Sequence, residues 1–573
     1  MKTGAVIILL NLILLFSFES AAQEPDSKAI SGKTCFNEVS VTISDSNCRE
    51  VSDDSHEIIW INMEETPSKA NSAIGDRTRT GVPYDAAPDW ENDLRRQVGG
   101  LQACDMNGDG LVDVIAGCYH SDSYPPYDDW ENLIYYNTGT ELEASPSWIS
   151  NDEVSTGDVQ VALINNDPYP DFIAANGGYS MSPSVIYWGS ASGPSTTPGW
   201  SSQEPGLAWN NYALPFDIDH DGDVDLITAN QGNSPSDPYR PIYIFFNNNG
   251  TLATIPGWQS DESSIQNFLA FGDYDGDGWE DLAVSKWANF ESGIYKNRNG
   301  SIHATPVWTT GDTDTDKGVA WADVDSNGWP DLALGHDPTL LYANDQGSLS
   351  TAWSSGATYF GHSDIRFCDV DWDGDKDLAE IHFSDGKTHI YLNNNGTLET
   401  TPSWTYDSSS VGTAIAFGDI NGDQCPDLIV GYSGEPSIVV FYAKSTLSAN
   451  AYTLPETGGS IDFHLAAGTE KNNRNYLLVG GVTGTEPGYP LPGGKATLPV
   501  NFDIFTFSIL FPLLNSSVFQ DFIGTLDAEG NASARLNAPS LPPGYIGLVM
   551  HYAYCLGWPW EFASNAIAIT VVP

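Results

Sequence analysis

Basic residues are scarce in this chain: 22 Lys and Arg stand against 76 Asp and Glu, a formal charge of −54. A surface of that sign repels nucleic acid and anionic membrane, so neither is an expected partner. Past the N-terminal residues there is no apolar run of the ~18 residues a membrane helix needs. The nearest, 502–519, is broken by Asp503, Pro512 and Asn515. Cysteine is low, at seven, and no pair has C-x2-C spacing, which excludes cysteine-ligated zinc. There is no G-x-S-x-G, no H-E-x-x-H and no phosphate-cradling glycine loop, so no residue is assigned a catalytic role. Hydrophobic content is ordinary at 40%, so the acidity is not that of a disordered chain.

What is present is an acidic nonapeptide repeated seven times, with the pattern Asp-x-Asp/Asn-x-Asp-Gly-x-x-Asp followed by an apolar run. The cleanest copy is Asp273-Tyr274-Asp275-Gly276-Asp277-Gly278-Trp279-Glu280-Asp281, and the others begin at Asp105, Leu163, Asp217, Asp323, Asp369 and Asp419. Successive starts are 58, 54, 56, 50, 46 and 50 residues apart, a period that signals a propeller or a solenoid. Positions 1, 3, 5 and 9 offer side-chain oxygens and position 7 a backbone carbonyl, the donor set of a hard cation such as Ca2+. The candidate ligands are Asp105, Asn107, Asp109, Leu111 and Asp113 in the first copy and Asn165, Asp167 and Asp171 in the second. The third offers Asp217, Asp219, Asp221, Asp223 and Asp225, and the fourth Asp273, Asp275, Asp277, Trp279 and Asp281. The fifth offers Asp323, Asp325, Asn327, Trp329 and Asp331, the sixth Asp369, Asp371, Asp373, Asp375 and Asp377, and the seventh Asp419, Asn421, Asp423, Cys425 and Asp427. Leu163 and Pro168 remove a ligand and the glycine from the second copy, so about six calcium sites are expected, with the one near Asp167 weak or empty. An EF-hand is rejected: only the copy at Asp369 has Glu at its twelfth position, Glu380, and the flanks lack helical periodicity.

Around each acidic loop the pattern is β. An apolar stretch such as Phe268-Leu269-Ala270-Phe271 precedes it, a second such as Asp225-Leu226-Ile227-Thr228-Ala229 follows, then an aromatic third, a glycine turn and a Trp: Trp148, Trp200, Trp258, Trp308, Trp353 and Trp404. Four short strands of this kind make a propeller blade. The seventh unit lacks its Trp, whereas Trp90 stands before the first loop. Residues 83–90 are therefore expected to supply the last blade's outer strand and close the ring. With Phe271-Gly272-Asp273 and Phe417-Gly418-Asp419 opening two of the loops, the chain resembles FG-GAP/VCBS repeat proteins, whose relatives include the β-propellers of integrin α subunits. The resemblance spans about 84–445. It implies calcium in loops joining the first two strands of each blade, on the face opposite the usual ligand face.

The expected fold is all-β: a seven-bladed propeller over 83–445, a linker at 446–459 and a β-sandwich-like domain at 460–573, after a signal peptide at 1–22 and an irregular leader at 23–82. Lys2, the apolar run Ala5 to Phe16 and the small residues Ser20-Ala21-Ala22 fit cleavage after Ala22. This predicts a secreted or cell-surface protein, in a compartment that permits disulfides; Cys35 with Cys48 and Cys104 with Cys118 are the candidate pairs. The letters Leu454-Pro455-Glu456-Thr457-Gly458 spell a sortase signal but lack a following membrane stop, and read as linker. Five residues after each position-9 Asp, at the far end of the second strand, stand Cys118, Asn176, Asn230, Lys286, His336, His382 and Tyr432; long insertions beside them bring Tyr119 and Tyr239. A polar and aromatic rim of this kind suits a glycan or protein ligand, and His336 with His382 could form a metal or acid–base pair. The function expected is extracellular adhesion or ligand binding by a monomer, with a propeller polysaccharide lyase or glycoside hydrolase, or a structural matrix protein, as alternatives.

Overall fold

Most second strands carry a continuous apolar run rather than an alternating one, so they must be buried on both faces. In the computed structural model, Asp113–Cys118, Asp171–Asn176, Asp281–Lys286 and Asp377–His382 are buried along their whole length. The structure describes residues 82–573 apart from 120–129, 140, 178–181, 206–208, 232–238, 288, 357–360, 486, 494–495 and 558. The expected signal peptide, leader, Cys35 and Cys48 lie outside the described residues, as does most of both long insertions.

Every acidic loop joins the first to the second strand of a four-stranded antiparallel sheet. The fourth sheet shows the plan: Gln266–Gly272, Asp281–Lys286, Gly293–Tyr295 and Trp308–Thr309, paired in chain order. The seventh takes Val411–Gly418, Asp427–Gly434 and Ile438–Phe441 from the end of the repeat, and Trp90–Glu91 as its outer strand. Trp90 pairs with Val440 and Glu91 with Val439. The first strands touch from blade to blade in order, and Val411–Gly418 returns to Arg96–Cys104, so the ring is closed with seven blades. Closure leaves no open sheet edge between the first and last blades.

Aromatic side chains weld neighbouring blades. The outer-strand Trp of one blade meets, edge to face, the third-strand ring of the next: Trp90 on Tyr135 at 5.4 Å, Trp148 on Tyr187 at 5.5 Å, Trp200 on Phe245 at 5.6 Å, Trp308 on Tyr342 at 5.2 Å, Trp353 on Tyr391 at 5.4 Å and Trp404 on Phe441 at 5.0 Å. Such pairs contribute about 0.5–1.5 kcal/mol each beyond their buried area. The indole N–H of Trp148, Trp200, Trp258 and Trp353 also donates to a backbone carbonyl of the following blade, and that of Trp404 to Asp85 O at 3.1 Å.

Beyond the propeller two sheets face one another. One orders Leu447–Ala449, Gly459–Ala466, Asn531–Ala538 and Phe519–Gln520; the other Thr453–Pro455, Ile567–Val572, Val549–Leu556, Asn475–Gly481 and Ile523–Thr525. Phe463 of the first packs on Tyr552 of the second at 4.9 Å. The stretch expected as linker thus supplies an edge strand to each sheet. Leu454 of the sortase-like letters is fully buried, and Glu456 N donates to Val572 O at 2.8 Å. Residues 502–519 add the short helix Ile504–Ser508, capped by Asp503, and a π-helical turn Ile509–Leu513. Among the described residues no helix is long and apolar enough to cross a membrane.

The expected Cys104–Cys118 disulfide is not formed. Cys104 pairs across the hairpin with Asp113 and Cys118 with Val98, which places the two sulfurs at opposite ends of the sheet. Bracketing a loop in sequence does not bring the brackets together when one of them lies a full strand beyond it.

Candidate metal centres

The acidic loops are ladders of side-chain-to-backbone hydrogen bonds. The position-1 carboxylate accepts from the position-6 N–H: Asp105 from Gly110 at 2.8 Å, Asp217 from Gly222 at 3.0 Å, Asp273 from Gly278 at 2.9 Å, Asp323 from Gly328 at 2.8 Å, Asp369 from Gly374 at 3.0 Å and Asp419 from Gln424 at 2.9 Å. Position 3 accepts from position 5, as Asn107 from Asp109 and Asn165 from Asp167. Position 5 accepts from position 7, as Asp109 from Leu111, Asp277 from Trp279, Asn327 from Trp329 and Asp423 from Cys425. These bonds turn the chain so that side-chain oxygens converge.

The wrap uses left-handed residues at positions 4 and 6. Position 6 is the glycine visible in the repeat, replaced in the last copy by Gln424 at φ 66° and in the second by Pro168, whose ring forbids that conformation. Position 4 escaped sequence reasoning because four copies fill it with other residues: Asn166 at φ 61°, His220 at 56°, Ser326 at 56° and Trp372 at 59°.

The position-9 aspartates are fully buried and bind backbone with both oxygens, except that Asp281 Oδ2 has no hydrogen-bond partner. Oδ2 accepts from the position-2 N–H, as Asp113 from Met106 at 2.9 Å and Asp331 from Val324 at 2.9 Å. Oδ1 accepts from the residue ending the third strand: Asp225 from Asn247, Asp281 from Asn297, Asp377 from Asn393 and Asp427 from Ala443, all at 2.7–2.8 Å. That third-strand Asn then reaches the preceding blade, with Nδ2 donating to its position-2 carbonyl. Asn137 reaches Ile420, Asn247 Ile164, Asn297 Ile218, Asn344 Tyr274 and Asn393 Val324, at 2.6–3.0 Å. Asn247, Asn297, Asn344 and Asn393 each stand three residues before a Gly-Thr or Gly-Ser pair, and Asn137 two residues before one, a signal that the reading of the repeat did not use. The second blade has Gly189 there, where a Cβ would lie 2.3 Å from Pro170 O, and the seventh has Ala443.

The donors present fit a hard cation. Carboxylate oxygens of Asp217, Asp219 and Asp225, of Asp273, Asp275 and Asp281, and of Asp323, Asp325 and Asp331 each lie within 4.8 Å of one another. Asp275 Oδ1 is buried with no hydrogen-bond partner, an oxygen that a cation would satisfy. Burial, partly offset by backbone N–H bonds, pushes the carboxyls up to about 6 at Asp113 and Asp331, about 7 at Asp225 and Asp281 and about 8 at Asp427. Burial and then Asp371 push Asp373 up to about 8. A bound divalent ion reverses this, because it favours the charged form. In the fourth loop the Lys296 ammonium contacts Asp275 and stands 2.9 Å from Asp277, so a side-chain cation already competes there. The position-7 aspartates of the two richest copies are held by neighbouring turns: Asp223 accepts from Asn166 Nδ2 at 2.7 Å and from Asn249 N, and Asp375 accepts from Asn395 N at 2.7 Å. Calcium is thus a chemical expectation of these loops, with Asp167, Asn165 and Asp171 the poorest set.

On the opposite face the expected rim is largely inside the protein. Cys118, Asn176, Asn230, Lys286, His382 and Tyr432 are buried. Asn176 accepts from Thr156 and donates to Pro183 O, Asn230 donates to Pro241 O, and Lys286 donates to Glu262 Oε2 at 2.8 Å. Tyr432 OH lies 3.2 Å from Thr388 Oγ1, and Tyr119 is held by its own N–H to Gln97 O. These strand ends do not reach solvent, and period alone carries no depth. His336 and His382 do not form a pair. His336 Nδ1 bonds Asp316 at 2.8 Å, which raises its pKa, and its ring gathers with Asp312 and Asp314; His382 sits in the next blade beside Glu380.

What does face solvent is aromatic. Tyr239 packs edge-on to Phe290 at 5.0 Å, and Trp287 is 39% exposed. The Lys317 ammonium lies 5.1 Å from the Trp287 ring and 4.5 Å from that of Phe383. Trp287 and Phe383 follow second strands, and Lys317 precedes a first strand, so all three stand at the end away from the acidic loops. Among the described residues no carboxylate acts on Lys317, and burial pushes its pKa down to about 8.

Fold and loops together define a β-propeller built on acidic-loop blades. Residues 217–284 and 381–430 match the model of the FG-GAP-like repeat, and the chain is a β-propeller carrying FG-GAP-like repeats. No curated protein matches the chain significantly. Similar solved structures include a chain from the crystal structure of BBS1N in complex with ARL6DN soaked with mercury, 13% identical, covering 64% of this chain and 96% of that one with a TM-score of 0.44. A chain from the same complex soaked with lead is 15% identical, with coverage of 64% and 98% and a TM-score of 0.44.

Proposed function

We propose that this protein is exported and binds an acidic glycan on the face opposite its acidic loops, with calcium in those loops stiffening the ring. The observation that carries the reading is Lys317 between Trp287 and Phe383, contributed by three consecutive blades. An ammonium with no carboxylate partner among the described residues, set between the exposed Trp287 ring and the half-buried Phe383 ring, offers one charge-assisted bond to a sugar carboxylate and stacking to a sugar face. Phe290 of the same blade as Trp287 and Tyr239 of the preceding blade extend the aromatic surface. The remainder of a chain of charge −54 repels an acidic polymer, so binding concentrates where the amine is.

The test is a glycan array probed with the full chain, followed by titration of any hit against K317M and W287A. Saturable binding that drops at least tenfold in both variants, with melting temperature unchanged, supports the reading. Binding indifferent to both substitutions, or steady release of cleaved product, overturns it.

A further inference from the structure

We propose that the sixth blade holds a second kind of metal site, a buried transition-metal centre of the zinc type made by Glu380, His382 and His389. The sheet register assembles it. Glu380 and His382 are two residues apart on Asp377–His382 and so share a face, and His389 on Lys387–Tyr391 is the direct cross-strand partner of Glu380. One donor atom from each lies within 4.8 Å of the other two, and the three residues are 0%, 0% and 3% exposed. Bonds of about 2.0–2.1 Å around a tetrahedral ion place donors ~3.4 Å apart, so closing on one asks only for small side-chain shifts. His382 Nε2 is already 3.0 Å from Glu380 Oε1.

Around these donors stand groups that orient them. Thr405 Oγ1 is 2.8 Å from His389 Nδ1, which leaves Nε2 as the metallating nitrogen. Tyr391 OH donates to Glu380 Oε1 at 2.8 Å and Thr339 Oγ1, from the fifth blade, donates to Glu380 Oε2 at 2.6 Å. Hydrogen bonds of this kind fix ring orientation and tautomer in metal sites. Tyr391 also brings a fourth oxygen beside the cluster. The chemistry is not that of the acidic loops: two imidazoles and one carboxylate match a borderline-soft ion, whereas calcium asks for six to eight oxygens. Glu380 is the residue that made the Asp369 copy resemble an EF-hand; the geometry turns it away from that loop and into the sheet.

The experiment uses the full chain produced in medium supplemented with Zn2+, or with Co2+ as a spectroscopic probe, then dialysed against EDTA to strip exposed sites. Zinc retained at about one equivalent per chain, and an intense visible band from tetrahedral nitrogen-ligated cobalt, are expected. Both should be lost in H382Q/H389Q, while chelator-sensitive calcium content stays unchanged. Wild-type protein with no retained transition metal and no cobalt band overturns the proposal whether or not the variant folds. Equal zinc in wild type and a folded variant overturns it too.

Discussion

Replacing Asn393 by Ala tests whether the third-strand asparagines hold the blades together. The side chain is 2% exposed, and its Nδ2 donates to Val324 O of the fifth blade at 2.8 Å and to Lys376 O of its own blade at 3.2 Å. The backbone bond from Asn393 N to Asp377 Oδ1 survives the substitution. A net loss of about 0.5–1.5 kcal/mol for each of the two bonds, plus the cost of leaving a buried carbonyl without a donor, about 1–3 kcal/mol, sums to roughly 2–6 kcal/mol. Asn248, an exposed residue of the matching turn in the third blade, serves as control, and Asn248→Ala should stay within about 0.5 kcal/mol. Urea unfolding followed by tryptophan fluorescence at fixed calcium reads both, with the loss appearing as a lower midpoint at unchanged slope. If the two variants unfold at the same midpoint, the inter-blade bond adds nothing and the ring is held by its aromatic contacts alone.

Asp221→Ala should abolish one bound calcium by equilibrium dialysis, whereas Asp167→Ala should change the count little; equal losses would contradict the ligand reading. Lys296→Met should tighten calcium at the fourth loop by removing a competing ammonium from Asp275 and Asp277, and an unchanged titration would refute that. Starting the chain at Val82 should preserve the propeller. Starting it after Asn92 should cost monomer yield, because Trp90 and Glu91 supply the closing strand and Asn92 Oδ1 accepts from Ser437 N and Ile438 N. Asp158 is buried near Arg366 and its carboxyl is pushed up to about 7 by burial, so the folded state keeps a proton that the unfolded chain releases near 4. Its contribution therefore favours folding fully below pH 4 and is lost as pH rises through about 7. Denaturation at pH 5 and pH 8 should show a smaller difference in Asp158→Asn than in the parent, and an equal difference would refute the assignment.

Architecture was legible in the sequence because it rests on local chemistry. An acidic loop of fixed length followed by an apolar strand recurs seven times, and a Trp missing from the end and present at the start told of ring closure before any pairing was seen. Loop ligands are neighbours in the chain, so their convergence is a matter of turn geometry. Depth and cross-strand partnership are not local. Lys286 and His382 occupy matching positions in the repeat and were expected on a rim, yet both are buried, while Lys317 between Trp287 and Phe383 has no repeat signature. Cys104 and Cys118 bracket a loop but stand at opposite ends of a hairpin. Glu380 and His389 meet only because two strands pair in one register, and a slip of one residue would turn them to opposite faces. Gln424, a substitution for glycine in the sequence, bonds both backbone groups of Ala568 in the following domain, at 2.9 and 2.5 Å. What the chain alone determined was its repeating unit; which side chains meet across blades and between domains was decided by tertiary packing, because those partners are far apart in sequence and no local pattern encodes their distance.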